Sequence, residues 1–326
     1  MIFYVYMSPA VIEDAQEGGP YALDSLIGIL QGFLQNCFIA EFEDERLKKA
    51  IYNNVSQLPA NDAKKKIMSL FGELKKRNHF ISCLIPDYCG VDDDLSCVIK
   101  QAESVLLDML LIAKNENGQP VKLKAEIATL GYYNQSKFAS ERSNLAKNGT
   151  TLRPDELSEA ELLDKIFKKA LIYSSRIEIC DRIFGLKFGD NFEHSFMTMF
   201  RWLEKNVVDP VHLEKIIIHC EKPQGYGDDN MKVKLSPIKN GRFSKIAIEV
   251  RFYQKNKDSK EEGDPLPHDR YLMTNQVAFD IGRGMDFLSK RTRGNRDISI
   301  NYQDTDKIAA LIGSYSKYKL PDPMVL

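Results

Sequence analysis

Three consecutive isoleucines, Ile216–Ile218, stand between Lys215 and His219 in the run Lys215–Cys220. So short an apolar run with polar flanks predicts a strand buried on both faces, as in a parallel sheet covered by helices. The surrounding pattern supplies those helices. Ser158-x-x-Glu161 has the form of a capping box and opens a helix that would bury Leu162, Ile166, Phe167 and Ala170. Arg176–Cys180 predicts a strand carrying Ile177 and Ile179 and ending in Asp181-Arg182. Asn191–Lys205 predicts a long helix with Phe192, Phe196, Phe200 and Leu203 inward. Ser244–Phe252 alternates strictly, Ile246, Ile248, Val250 and Phe252 against Lys245, Ala247, Glu249 and Arg251, which predicts a half-buried strand. Ile298–Tyr302 predicts another strand. Asp304 or Thr305 caps a helix through Ile308, Leu311 and Ile312, and the tail Pro321–Leu326 is expected to be loose. This order of elements gives an α/β fold class.

The first half follows the same grammar on a smaller scale. Ile2–Tyr6 reads as a first strand rather than a signal peptide, because no basic residues lead it and Pro9 breaks it. Helices are predicted at Ala22–Phe38, Glu41–Leu58 and Ala60–Lys76, and a strand at His79–Ile85. Asp92-Asp93-Asp94 precedes a predicted apolar helix, Leu95–Ala113, which one of the aspartates would cap. The expected organisation is an N-terminal α/β domain over 1–118, a basic and polar connection over 119–157 with Lys122, Lys124, Lys137, Arg142 and Lys147, and a second domain over 158–326. Two readings of the first domain stand side by side. A PIN-like nuclease would gather Asp24, Glu41, Asp94 and Asp108 around Mg²⁺ or Mn²⁺. A domain that recognises a partner or supports its neighbour needs no such cluster, and the absence of an acid from Tyr4–Met7 favours it.

Composition narrows the function classes. With 43% hydrophobic and 28% charged residues and a formal net charge of -1, no overall field draws the chain to nucleic acid or membrane. Any anion site must be a local cluster. The six cysteines, Cys37, Cys83, Cys89, Cys97, Cys180 and Cys220, form no CxxC and no zinc spacing. Reduced thiols and a cytoplasmic setting are the expectation. No window is apolar for long enough to predict a membrane span.

The chemistry-bearing stretch is Pro267–Asp286, P-H-D-R-Y-L-M-T-N-Q-V-A-F-D-I-G-R-G-M-D. Tyr271–Met273 and Val277–Ile281 predict two short strands joined by a polar turn at Thr274–Gln276. His268 and Arg270, two apart, would share one face of a strand. Gly282-Arg283-Gly284 predicts a tight turn before a helix starting at Asp286 and Phe287. An anion would sit among His268, Arg270, Arg283 and the first N–H groups of that helix.

His-Asp-Arg followed by an apolar strand and Gly-Arg-Gly resembles the second half of phospholipase D-like domains. Two branches are most similar: the C-terminal domain of MIT-domain proteins, and prokaryotic proteins with an H-D-R-[FY] signature found in phage-defence loci. The strand ending in Asp181-Arg182 fits the same pattern, so the resemblance covers about the C-terminal half. Against the family's H-x-K-x4-D motif stand His268, Arg270 and Asn275, with arginine for lysine and asparagine for aspartate. The resemblance implies an α/β/α unit and metal-independent phosphodiester chemistry with no cofactor. It implies His268, Arg270 and Asn275 at the catalytic positions, and Arg283, Gly282, Gly284, Arg182, Asp181 and His219 around the phosphate. A second histidine would come from His219 or from a homodimer. The implied function is a nuclease or nucleic-acid-processing factor of a defence system, with DNA or RNA and an operon-encoded protein as partners. The alternative is a non-catalytic module that binds nucleic acid, a nucleotide or an anionic headgroup.

Overall fold

The computed structural model describes the chain except for residues 1, 88–89, 92, 117–122, 154–155, 187, 207–212, 223–226, 240–243, 256–262, 283 and 290–296, and the side chains of 83, 84 and 227–229. The fold is mixed α/β with two sheets, and the chain divides into two compact units, 2–147 and 148–326.

The N-terminal unit runs β1 (Phe3–Met7), α1 (Val11–Glu17), α2 (Gly19–Asn36), β2 (Cys37–Phe42), α3 (Arg46–Gln57), α4 (Asp62–Lys76), β3 (Phe80–Ile85), α5 (Asp94–Gln101), β4 (Met109–Ile112), β5 (Glu126–Thr129) and α6 (Lys137–Asn148). Its sheet is ordered β3-β2-β1-β4-β5 and every pairing is parallel. Every residue of β1, β2 and β4 is buried. That burial corrects two expectations. Cys37–Phe42 and Met109–Ile112 are strands, where helices were expected to run through Phe38 and to Ala113. A strand covered on both faces is apolar without alternation, so periodicity cannot separate it from a buried helix. Asp93 caps α5 through the Ser96 N–H. Cys37, Cys180 and Cys220 are free and buried, whereas Cys97 is disulfide-bonded, which departs from the expectation of reduced thiols throughout.

The segment expected as a connection is divided instead. β5 and α6 belong to the first unit, and the boundary lies at Lys147–Asn148. The C-terminal unit runs β6 (Thr150–Leu152), α7 (Glu159–Leu162), a π-helical turn (Leu163–Phe167), α8 (Lys168–Leu171), β7 (Arg176–Cys180), α9 (Arg182–Leu186), α10 (Asp190–Asn206), β8 (Lys215–Glu221), α11 (Gly227–Leu235), β9 (Ala247–Tyr253), β10 (Tyr271–Thr274), β11 (Ala278–Ile281), β12 (Ile298–Gln303), α12 (Thr305–Ser314) and β13 (Met324–Val325). The sheet order is β13-β9-β8-β7-β10-β11-β12-β6, parallel among β7, β8 and β9 and antiparallel elsewhere. The capping box at Ser158 and Glu161 forms as read from sequence. The tail is not loose. Leu320 and Leu326 donate to Phe252 and Ile248, and β13 pairs with β9, so the chain end covers an otherwise open sheet edge.

One face of this sheet carries Ile177, Ile179, Ile216, Ile218 and Phe279 and packs on aromatic helices, while Ile217 lies on the opposite face. Phe167 meets Phe279 at 5.3 Å between ring centroids, and Phe184 of α9 meets Phe196 of α10 at 4.6 Å. The other face presents Cys180, Tyr253, Tyr271, Met273 and Ala278 to Ile308 and Ile312 of α12.

Candidate functional site at the carboxyl edge of the second sheet

β10 runs antiparallel to β7 with Tyr271 opposite Cys180, so the start of β10 lies at the carboxyl end of β7. The residues after β7, Asp181 and Arg182, therefore share an edge with those before β10, His268 to Arg270. Carboxyl ends of parallel strands are where open α/β sheets take ligands. His268 precedes the strand instead of lying on it, and its side chain is 75% exposed. Its Nε2 stands 2.6 Å from Oδ2 of Asp264. The other oxygen of Asp264 contacts Nη1 of Arg182, which lies 3.9 Å from Glu221 at the end of β8.

Asp181 organises the interior of this edge. It is 1% exposed. Its Oδ1 accepts from the Ile183 and Phe184 N–H groups, and its Oδ2 accepts from Met285 at 2.8 Å. Burial pushes its carboxyl up, and the Met285 N–H, the charge of Arg270 and the Phe184 and Ile183 N–H groups oppose that rise without cancelling it. Gly284 closes the corner at φ +87°. A Cβ there would lie 2.6 Å from Asp181 Oδ2 and 3.3 Å from Arg270 Nε, so both the backbone and the space require glycine. Arg270 thus lies beside Asp181, and its charge also acts on Asp280. Burial and the neighbouring Asp269 raise the Asp280 carboxyl against the pull of Arg270 and Asn301.

Other expected members are elsewhere. Asn275 lies at the far end of β10, where its Oδ1 accepts the Ser175 N–H at 3.0 Å ahead of β7. The length of β10 separates it from His268, so the three catalytic-motif positions do not converge. His219 is 3% exposed, with Nδ1 at 2.9 Å from the Tyr253 hydroxyl and Nε2 at 3.0 Å from Glu178. Burial works against the charge on Glu178, but the His219 hydrogen bond and the Arg176, His219 and Arg251 charges outweigh it and hold the carboxyl low. The ionised Glu178 accepts from His219 Nε2–H, and Nδ1 pairs with the hydroxyl of Tyr253, whose phenol burial pushes up to about 12. Both ring nitrogens are spent on structure. Gly282 continues the ladder by donating to Ser299 and leaves room for a side chain. Arg283 lies outside the described residues. Residues 285–288 form turns in place of the expected start of a helix, and the Met285 N–H is taken by Asp181.

Asp264 and Glu221 were not anticipated. Glu221 carried no motif. Asp264 had a legible signal: it stands four residues before His268, across Pro265-Leu266-Pro267.

Among the described residues, Asp24, Glu41, Asp94 and Asp108 do not gather into a metal-binding group. Glu41 is buried and accepts from the Phe42, Leu47 and Lys48 N–H groups, which caps α3. Asp94 pairs with Arg46 at 2.9 Å. Asp108 accepts from Tyr4 N–H at the amino end of β4, and Asp24 is exposed on α2. Among the described residues no group of three or more His, Cys, Asp or Glu side chains is arranged to hold a metal ion. No described helix is long and apolar enough to cross a membrane. The second edge thus offers an exposed imidazole held by a carboxylate, with an arginine beside it, a set able to exchange protons and contact an anion. Compared with known families and with curated proteins, the chain matches no family model and no curated sequence.

Proposed function

We propose that the C-terminal unit is a phospholipase D-like domain that recognises a phosphodiester of nucleic acid, with His268 as the reacting group and Arg270 as the ligand of a phosphate oxygen. One observation carries this reading. The exposed His268 imidazole is paired with Asp264 at 2.6 Å, at the carboxyl edge of the sheet and two residues from Arg270. An imidazole held through one nitrogen can offer the other to phosphorus or to a leaving oxygen. The Arg270 guanidinium offsets negative charge that gathers on the phosphoryl oxygens. A second His268, from a two-fold partner, would serve the other half of the reaction.

A second reading, binding without turnover, is favoured by the engagement of Asn275 with Ser175 and of both His219 nitrogens with Glu178 and Tyr253. Hydrolysis of bis(p-nitrophenyl) phosphate in EDTA, and anisotropy of a labelled single-stranded oligonucleotide, separate the two. Turnover that falls by about 100-fold or more in His268→Ala supports the enzyme. Binding without turnover, weakened in Arg270→Ala, selects the module. Neither turnover nor binding by folded protein rejects both.

A further inference from the structure

We infer that Leu266 is a positioning residue, and that α12, the helix that closes its cluster, sets the placement of the segment carrying His268 and Arg270. Residues 264–270 lie outside helix and strand and lead directly into β10. Among the described residues no backbone hydrogen bond is made by 264–269, and Pro265 and Pro267 have no N–H to give. Burial holds the segment instead. Pro265, Leu266 and Pro267 are buried, whereas His268 and Asp269 are exposed. Leu266, 1% exposed, shares its cluster with Tyr253 of β9, Tyr271 and Met273 of β10, and Ile308 and Ile312 of α12.

The strand members of that cluster are fixed by the ladder, and α12 is the member that can leave. It is 10 residues long, too short to be a stable helix by itself, so its helicity depends on docking. Only Ile308 and Ile312 are fully buried on it, with Leu311 and Tyr315 partly buried against the same cluster. Beyond α12 the chain is tied to the β9 edge through its backbone: the Gln254 N–H donates to the Tyr318 carbonyl, and the Leu320 N–H to Phe252. Few buried side chains and an edge attachment place this strap among the parts that open before the sheet does. Once it opens, Leu266 loses its cover, and His268 and Arg270, two and four residues on, lose their fixed placement. A ligand must then order them, which weakens binding.

The expected loss of affinity rests on the reading of Arg270 as a phosphate ligand, whereas the placement of His268 is tested without it. Long-range ¹H–¹⁵N spectra of the full chain, labelled at its five histidines, follow that placement, and the His268 signals are those lost in His268→Ala. Ile312→Ala should shift and broaden the His268 signals and leave those of His79, in the N-terminal unit, in place. It should also weaken binding of a labelled single-stranded oligonucleotide by about tenfold, the scale of ordering one or two side chains. Ile312→Val, which removes one methylene, should move the same signals the same way by less, and it serves alone if the alanine variant does not fold. Ile216 is buried on the opposite face of the sheet, so Ile216→Ala should lower the melting temperature and leave the His268 signals and the affinity unchanged. Unmoved His268 signals in a folded Ile312 variant overturn the inference, as does an equal movement in Ile216→Ala. His268 signals that follow Ile312 in a protein that binds no oligonucleotide would leave the positioning role standing and remove the proposed function.

Discussion

The two sheets end in similar residue types and differ in what those residues have left to give. At the N-terminal sheet, Glu41 is consumed by three backbone N–H groups, Asp94 by Arg46, and Glu116 by Ser8 and the Ala113 N–H. At the C-terminal sheet Asp181 is consumed in the same way, yet it holds the corner against which Arg270 lies, and His268 stands in solvent with one nitrogen engaged. Acids at strand ends are common because helix starts nearby need acceptors. A site requires capacity that folding has not already used.

The largest expected effect tests whether Asp181 is structural. Asp181→Ala would orphan the buried Met285 N–H and the part-buried Ile183 N–H and remove the buried carboxyl beside Arg270, at a cost of about 3 kcal/mol in urea unfolding. A loss below about 1 kcal/mol would show that Asp181 is not the anchor of this edge. Gly284→Ala should cost about 2 kcal/mol, since φ is +87° and the methyl meets Asp181 at 2.6 Å. Equal stability would mean the corner relaxes freely.

Much of this contrast was legible in the sequence, and some was not. The capping box at Ser158, the hairpin of Tyr271–Thr274 and Ala278–Ile281 and the triple-isoleucine strand follow from local rules, and they form. β2 and β4 were misread because central parallel strands carry no alternation. Asn275 and His219 matched by spacing or by strand position, but spacing along the chain does not say which end of a strand a residue reaches, or which partners claim it. Ser175 and Glu178 did so from a hundred and from forty-one residues away.

Proton linkage sharpens the comparison at lower cost. Burial raises both Glu41 and Asp181. A carboxyl whose pKa is higher in the folded state keeps its proton in a window where the unfolded chain has lost it. Stability from these two groups is therefore full below about pH 4 and declines as pH rises through their raised values. Glu41→Gln should flatten that decline relative to wild type in urea midpoints taken upward from pH 4. Parallel curves would remove Glu41 from the account. Smallest of all, Asp94→Ala should cost at most about 1 kcal/mol, as its pair with Arg46 is solvent-exposed. A larger loss would give Asp94 a role that its geometry does not.

The most direct test sets the two edges against each other. Cleavage of single- and double-stranded DNA and RNA is measured with and without EDTA, in wild type, His268→Ala and Asp94→Asn. The account predicts cleavage that survives EDTA and Asp94→Asn and is lost in His268→Ala. Cleavage abolished by EDTA and by Asp94→Asn but retained in His268→Ala would contradict it and assign the chemistry to the N-terminal sheet.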